Sequence, residues 1–278
     1  MRKHYTSVIS SLFGRFASHP FPPALQRMIN RAYVRLMGLD MSEFRAPKEY
    51  ETLNALFTRA LEKPRALPDD TQSLISPVDA LVTQCGEIRD AQVYQIKGMA
   101  YRLDALLGTY HTEAAKSLEG GRYANFYLSP RDYHRYHMPT DLKVRALTHI
   151  PGKLYPVNMP LLKRKHNLFI ENERVILECE DKNGYLHVLV LVGALNVGKM
   201  TVTFEPRVRT NSDILTPQHY KYDNITLRRG DLLGWFEMGS TVLLFSQKES
   251  IELTLKEGEK VRFAQPIGRL RCKRAIKE

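Results

Sequence analysis

Near the N-terminus, apolar positions recur with a helical period. Ile9, Leu12, Phe13 and Phe16 stand at i, i+3, i+4 and i+7, one face of a 3.6-residue helix. A breaker, His19-Pro20-Phe21-Pro22-Pro23, separates them from a second stripe of Leu25, Met28, Ile29, Ala32 and Leu36. A third helix is predicted around Leu53, Leu56, Phe57, Ala60 and Leu61, and Pro64 to Asp70 reads as a loop. The texture then changes to short β-rich runs bounded by Gly, Pro, Asn and Asp. These are Ala80 to Thr83, Val93 to Ile96, Tyr123 to Leu128, Val144 to Ile150, Val175 to Cys179, Leu186 to Val192, Met200 to Phe204, Val242 to Phe245 and Val261 to Phe263. One helical interruption is predicted at Leu103 to Leu107. Strands that far outnumber the helices between them argue against a doubly wound sheet. The expectation is an α+β protein with a mainly antiparallel β core. A helical segment, residues 1–63, precedes a β-rich domain, residues 64–278.

Charge sharpens the picture of the N-terminus. The chain has 278 residues, 41 basic and 30 acidic, for a net charge of +11. That excess suits a nucleic acid or an anionic membrane surface. No acidic residue precedes Asp40, whereas Arg2, Lys3, Arg15, Arg27, Arg31 and Arg35 do. Arg27, Arg31 and Arg35 repeat every four residues beside the second apolar stripe. An apolar stripe with a basic face is the pattern of a helix lying in a membrane interface; it also suits helices packed on the body with solvated arginines. No apolar run reaches the ~18 residues of a membrane span, and no signal-peptide pattern is read. Cys85, Cys179 and Cys272 are too far apart in sequence for zinc-ligand or redox spacing, so each is expected to be a small buried apolar residue of a reducing compartment.

Three short blocks carry candidate chemistry. Gly239-Ser240-Thr241 precedes the apolar run Val242 to Phe245. Such a pair is ordinarily a turn. In a strained chain, however, the Ser240 hydroxyl can attack the Gly239 carbonyl, where no side chain obstructs it. The resulting ester can eliminate to dehydroalanine and hydrolyse to a pyruvoyl group, an electron sink for amine substrates. In Tyr127-Leu128-Ser129-Pro130-Arg131-Asp132-Tyr133-His134-Arg135-Tyr136-His137-Met138-Pro139, two histidines stand three apart. No third ligand has metal spacing, which disfavours a metal site. An acid and base pair, or two ordinary loop histidines, remain. In Ser76-Pro77-Val78-Asp79-Ala80, Asp79 either caps a turn or orients a histidine.

These blocks together resemble the bacterial phosphatidylserine decarboxylase family. The resemblance also covers IPGKLYPVN (150–158), NLFIENERV (167–175), VLVGALNVG (190–198) and GWFEMGST (234–241), in order across residues 76–241. Ala80 and Met238 stand where the family usually has Gly and Leu, and Lys199 where it has a small residue.

The resemblance implies self-cleavage between Gly239 and Ser240. The products are a long β chain, 1–239, and a short α chain, 240–278, with Ser240 converted to a covalent pyruvoyl cofactor. It implies His137 as base for that step, Asp79 as its orienting group, and His134 as proton donor in decarboxylation. The implied reaction is Schiff-base formation with phosphatidylserine and release of CO2 and phosphatidylethanolamine, in phospholipid biosynthesis, without a metal. A homodimer held peripherally on the cytoplasmic face of the cell membrane, on anionic lipid and not on nucleic acid, completes the expectation. Three rivals stand beside it. A serine hydrolase using Asp79, His137 and Ser240 lacks the G-x-S-x-G elbow. A basic lipid- or nucleic-acid-binding β-protein leaves the paired histidines unexplained. A pyruvoyl enzyme for a soluble amino acid leaves the amphipathic N-terminus without a purpose.

Overall fold

The computed structural model describes residues 5–96, 98–195, 199–237 and 240–271. The expectations for Met238, Gly239, Asn196 to Gly198 and Cys272 therefore fall outside the described residues. Two helices, α1 (Tyr5–Ser18) and α2 (Pro23–Met37), lead into the short α3 (Leu53–Phe57). Pro23 opens α2, where its missing N–H costs nothing, and Gly38 closes it at φ +64°. Thr52 caps α3 by accepting from the Ala55 N–H at 3.0 Å.

The strands are β1 (Ser73–Ile75), β2 (Ala80–Glu87), β3 (Gln92–Ile96), β4 (Met99–Arg102), β5 (Arg122–Leu128), β6 (Arg135–His137), β7 (Leu142–Ile150) and β8 (Arg174–Glu180). There follow β9 (Leu186–Val192), β10 (Met200–Val202), β11 (Gln218–Leu227), β12 (Leu232–Phe236), β13 (Ser240–Ser246), β14 (Ile251–Leu253), β15 (Lys260–Val261) and β16 (Pro266–Leu270). Short helices α4 (Leu103–Leu107), α5 (Thr112–Ser117), α6 (Met159–Leu162) and α7 (Leu168–Glu171) lie between strands.

Eight strands form one sheet in the order β11-β7-β8-β9-β13-β5-β2-β15, every neighbouring pair antiparallel. This is the α+β class with the antiparallel core and the helical N-terminus that the pattern predicts. Val242 to Phe245 of β13 and Val188 to Val192 of β9 are buried on both faces, which explains runs without polar alternation. Beside the main sheet, β12 joins β10 to β6. There the backbones meet so closely that a Cβ on Gly234 would lie 1.8 Å from the Thr201 carbonyl oxygen.

The N-terminal helices bury a face that the apolar stripes do not predict. On α2 the buried residues are Gln26, Asn30 and Tyr33. Gln26 donates to Asn30 at 2.8 Å, and the Asn30 amide donates to the carbonyls of Pro47 and Tyr50, both at 2.9 Å. The stripes divide: Leu36 is 81% exposed, Met28 61% and Leu12 60%, whereas Phe13 and Ile29 are partly buried against a small core. A small separate core of Ala17, Tyr33, Leu39, Tyr50, Leu53, Leu56 and Phe57 holds the segment together. No helix among the described residues is long and apolar enough to cross a membrane. Cys179 is buried as expected, whereas Cys85 is only partly so.

Candidate active site

The histidine block folds into a turn and a short strand that β12 pins in place. Asp132 closes the turn by accepting both the N–H and the O–H of Ser129, at 2.6 and 2.7 Å. In β6, Arg135 pairs with Trp235 and His137 with Leu232. One residue earlier, the His134 carbonyl accepts the Phe236 N–H at 2.9 Å. From Phe236 the chain runs through the cleavage block to Ser240, the first residue of β13, which pairs with Leu128 at the end of β5. The residues flanking the histidine turn on both sides are thus the ones that lead to Ser240.

Both histidines are neutral and present the same tautomer. His134 is fully buried, and burial pulls its pKa down to about 3, with the nearby Arg59 charge acting in the same direction. Its Nδ1–H donates to the Asp132 carbonyl at 2.8 Å, so Nε2 carries the lone pair, and Nε2 has no partner among the described residues. The Phe57 ring of α3 covers this imidazole at a centroid distance of 4.1 Å. His137 is lowered to about 4, again mainly by burial. Its Nδ1–H donates to the Gly230 carbonyl at 2.9 Å. Its Nε2 accepts from the Tyr133 hydroxyl at 3.1 Å, a phenol that burial raises to about 12 and so keeps protonated. Gly230 holds φ +86°, where a side chain is strained.

Asp79 sits in the same cluster but does not hydrogen-bond the imidazole, because both His137 nitrogens have other partners. Its carboxylate accepts the Arg65 guanidinium at 2.5 and 2.9 Å and the Phe263 N–H at 2.7 Å. Phe263 in turn lays its ring on His137, 3.7 Å between centroids and 14° from parallel. The His137 N–H bonds to the Pro77 carbonyl at 2.9 Å, two residues before Asp79. Asp79 therefore influences His137 through space, favouring its charged form while Arg65 and Arg135 oppose it. Glu43 accepts from Nη2 and Nε of Arg65 at 2.8 and 3.1 Å and also binds Arg262.

The sequence blocks do not reveal the role of Tyr133, although it stands inside one of them. Nor do they reveal Arg65, Phe263 or Arg59. Arg59 lies over the Phe44 ring at 4.5 Å and donates to the Arg131 and Asp132 carbonyls at 2.9 and 3.2 Å. It ties the segment after α3 to the histidine turn. Asp79, Arg59, Arg131 and Tyr133 line a cleft of about 410 Å3 on this side of the molecule. Among the described residues no group of three or more His, Cys, Asp or Glu side chains gathers as a metal site would require.

Comparison with known proteins identifies the family. The family model described as phosphatidylserine decarboxylase matches residues 53–269. A phosphatidylserine decarboxylase proenzyme of Helicobacter pylori is 42% identical over 264 residues, covering 95% of this chain and 97% of that protein. The proenzyme of Campylobacter jejuni is 43% identical over 263 residues, covering 93% and 97%. That of Nitrosococcus oceani is 38% identical over 248 residues, covering 86% and 80%. With the motif blocks, the pinned histidine turn and matches of this extent, the chain belongs to the phosphatidylserine decarboxylase family.

Proposed function

We propose that this protein cuts itself between Gly239 and Ser240 and then converts phosphatidylserine to phosphatidylethanolamine and CO2. Family membership carries the reaction. The observation that supports it in this chain is the pair of buried, neutral histidines, His137 on β6 and His134 just before it, beside the segment leading to Ser240. A pyruvoyl group derived from Ser240 fits the residues present. Two buried polar atoms on the flanking elements, Nε2 of His134 and Oγ1 of Thr241, have no hydrogen-bond partner among the described residues. Once formed, that group supplies a ketone that serves as the electron sink for decarboxylation.

The chain's own residues take these roles. His137 offers its Nε2 lone pair to the Ser240 hydroxyl proton once the Tyr133 hydroxyl gives way. Asp79 stabilises the imidazolium by its field and, through Phe263, holds the ring that stacks on it. His134 carries a proton at Nε2 to the substrate carbon. With a pKa of about 3 in the empty site, it needs the negative charge of bound substrate to raise it for that task. Phe57 and the closed Ser129–Asp132 turn keep water from the imidazole.

The same proposal includes peripheral attachment to the cytoplasmic face of the membrane, through the segment 1–63, and a homodimer. The outward Leu12, Phe16, Met28 and Leu36 support the attachment, with Arg27, Arg31 and Arg35 along the same helix as Met28. Exposed apolar residues grouped with basic ones suit an anionic lipid interface.

Intact-mass measurement of the purified protein tests the reading. Wild type is expected as fragments 1–239 and 240–278, and Ser240→Ala as one chain that releases no phosphatidylethanolamine from phosphatidylserine vesicles. An uncleaved wild-type chain with normal turnover would refute it.

A further inference from the structure

A second pocket, of about 280 Å3, lies between α1 and the residues Lys199, Asn211 and Glu237. It is lined on one side by Ser10, Arg15 and Ser18 and on the other by Lys199, Asn211 and Glu237. It is smaller than the roughly 300–1,000 Å3 of sites that enclose a whole drug-sized ligand. The pairing of β10 with β12 fixes its inner wall. Met200 stands opposite Phe236, and one step further the Glu237 N–H donates to the Lys199 carbonyl at 2.9 Å. Lys199 therefore emerges directly across from Glu237, two residues before Gly239. The outer wall is the last turn of α1, where Arg15 stands between the exposed Leu12 and Phe16.

The pocket holds two cations for one carboxylate. Arg15 and Lys199 make no side-chain hydrogen bond or ion pair among the described residues, and both are exposed to the pocket mouth. The one carboxylate present, Glu237, is partly buried; burial raises its pKa, while Lys199 and a hydrogen bond with Asn54 pull the other way. Two cations against one carboxylate leave a net positive cavity at Glu237, two residues before Gly239 in the chain, and its outer wall carries the apolar residues expected to face lipid.

We propose that this pocket binds the phosphodiester of the glycerophospholipid substrate, with Arg15 and Lys199 as its two cationic contacts. The inference rests on the decarboxylase reading and adds to it the residues that hold the headgroup. Lys199 then has a purpose that the sequence blocks do not supply. It reaches the phosphate from the protein side while Arg15 reaches it from the lipid side. The serine portion of the headgroup, only a few bonds away, is thereby kept at the start of β13. Cationic side chains are the usual partners of a phosphate oxygen.

The test uses the processed full-length protein and a short-chain phosphatidylserine dispersed below its micelle concentration, so that membrane attachment does not enter. Lys199→Gln and Arg15→Gln are each expected to raise KM about ten- to a hundredfold, the loss of one charge-assisted contact, with kcat within about threefold of wild type. Lys199→Arg is expected to restore KM. Inorganic phosphate is expected to compete with substrate in wild type and less effectively in both glutamine variants. Intact mass of each variant reports self-cleavage, and Arg15, on the outer helix, provides the decisive arm if a Lys199 variant fails to process. An unchanged KM in Arg15→Gln and in any processed Lys199 variant overturns the assignment. So does a defect seen only with vesicles, which would make these cations part of the membrane surface. Weakened phosphate competition with an unchanged KM would identify a site for free phosphate and equally overturn it. Wild-type protein that releases no CO2 from phosphatidylserine would instead sink the decarboxylase reading itself.

Discussion

Holding two neutral imidazoles in the interior makes the precursor sensitive to mild acid. An exposed histidine takes up a proton near pH 6.5, whereas His137 does so at about 4 and His134 at about 3. Between those values the unfolded chain binds more protons than the folded one, so stability falls as pH falls. The contribution is intact above pH 6.5, is lost progressively below it, and stops declining near each folded value. From pH 7 to pH 5 each histidine withdraws about 2 kcal/mol, and the two together about 4 kcal/mol. Carboxylates held low, such as Glu205 at about 2 beside Arg207, lose their contribution only below about pH 4.5 and stay outside this window. The assay is urea unfolding of the single-chain Ser240→Ala precursor at pH 7, 6 and 5. Fluorescence of Trp235, the one tryptophan of the chain, follows the transition from β12. His134→Gln in the same background should lose about 2 kcal/mol less over that range. The comparison between the two proteins cancels every other titrating group common to both. An identical pH dependence in the two would refute the claim that His134 is buried and neutral.

Other expectations concern the cluster and the membrane face. Arg65→Met breaks a bidentate pair whose side chains are 12% and 16% exposed; it should cost about 3 kcal/mol in urea melts, the lower end of what breaking a buried pair costs. It should also move the acid limb of self-cleavage to higher pH, because a cation that depresses His137 is gone. His137→Ala should arrest cleavage on a denaturing gel, whereas His134→Ala should yield both fragments and lose about 10²- to 10⁴-fold in turnover; an uncleaved but folded His134→Ala would merge the two roles. Arg27→Ala/Arg31→Ala/Arg35→Ala should sediment with anionic vesicles about a hundredfold more weakly at low salt, at about 1 kcal/mol per arginine, with self-cleavage intact. Equal sedimentation would leave those arginines as a solvated face.

The buried strands were legible because their environment is uniform. Leu186–Val192 and the helix Leu103–Leu107 have the bounds that their apolar pattern predicts. The edge strand Gln218–Leu227 was not legible. It pairs with β7 alone and keeps polar residues such as Asn224 exposed, so nothing in its composition separates it from a loop. Strand β6 was hidden by its composition, since two of its three residues, Arg135 and His137, are polar. The helix predicted to reach Leu61 stops at Phe57 because Arg59 turns inward to the carbonyls of the histidine turn. Asp79 was legible as a candidate residue, but its partner was not. Arg65 comes from a loop fourteen residues upstream, and no local spacing links the two.

The position of Ser240 at the head of β13 has a consequence for the product of self-cleavage. This strand is bonded along its length to β9 on one side and β5 on the other. Cutting the peptide before it severs the covalent chain without freeing the strand. The new terminus is born already clamped, so no diffusive search is needed to present it to the histidines. The two fragments then behave as a tightly associated heterodimer. Their unfolding becomes a dissociation, and the apparent melting temperature of the mature protein should rise with protein concentration, whereas that of the precursor should not.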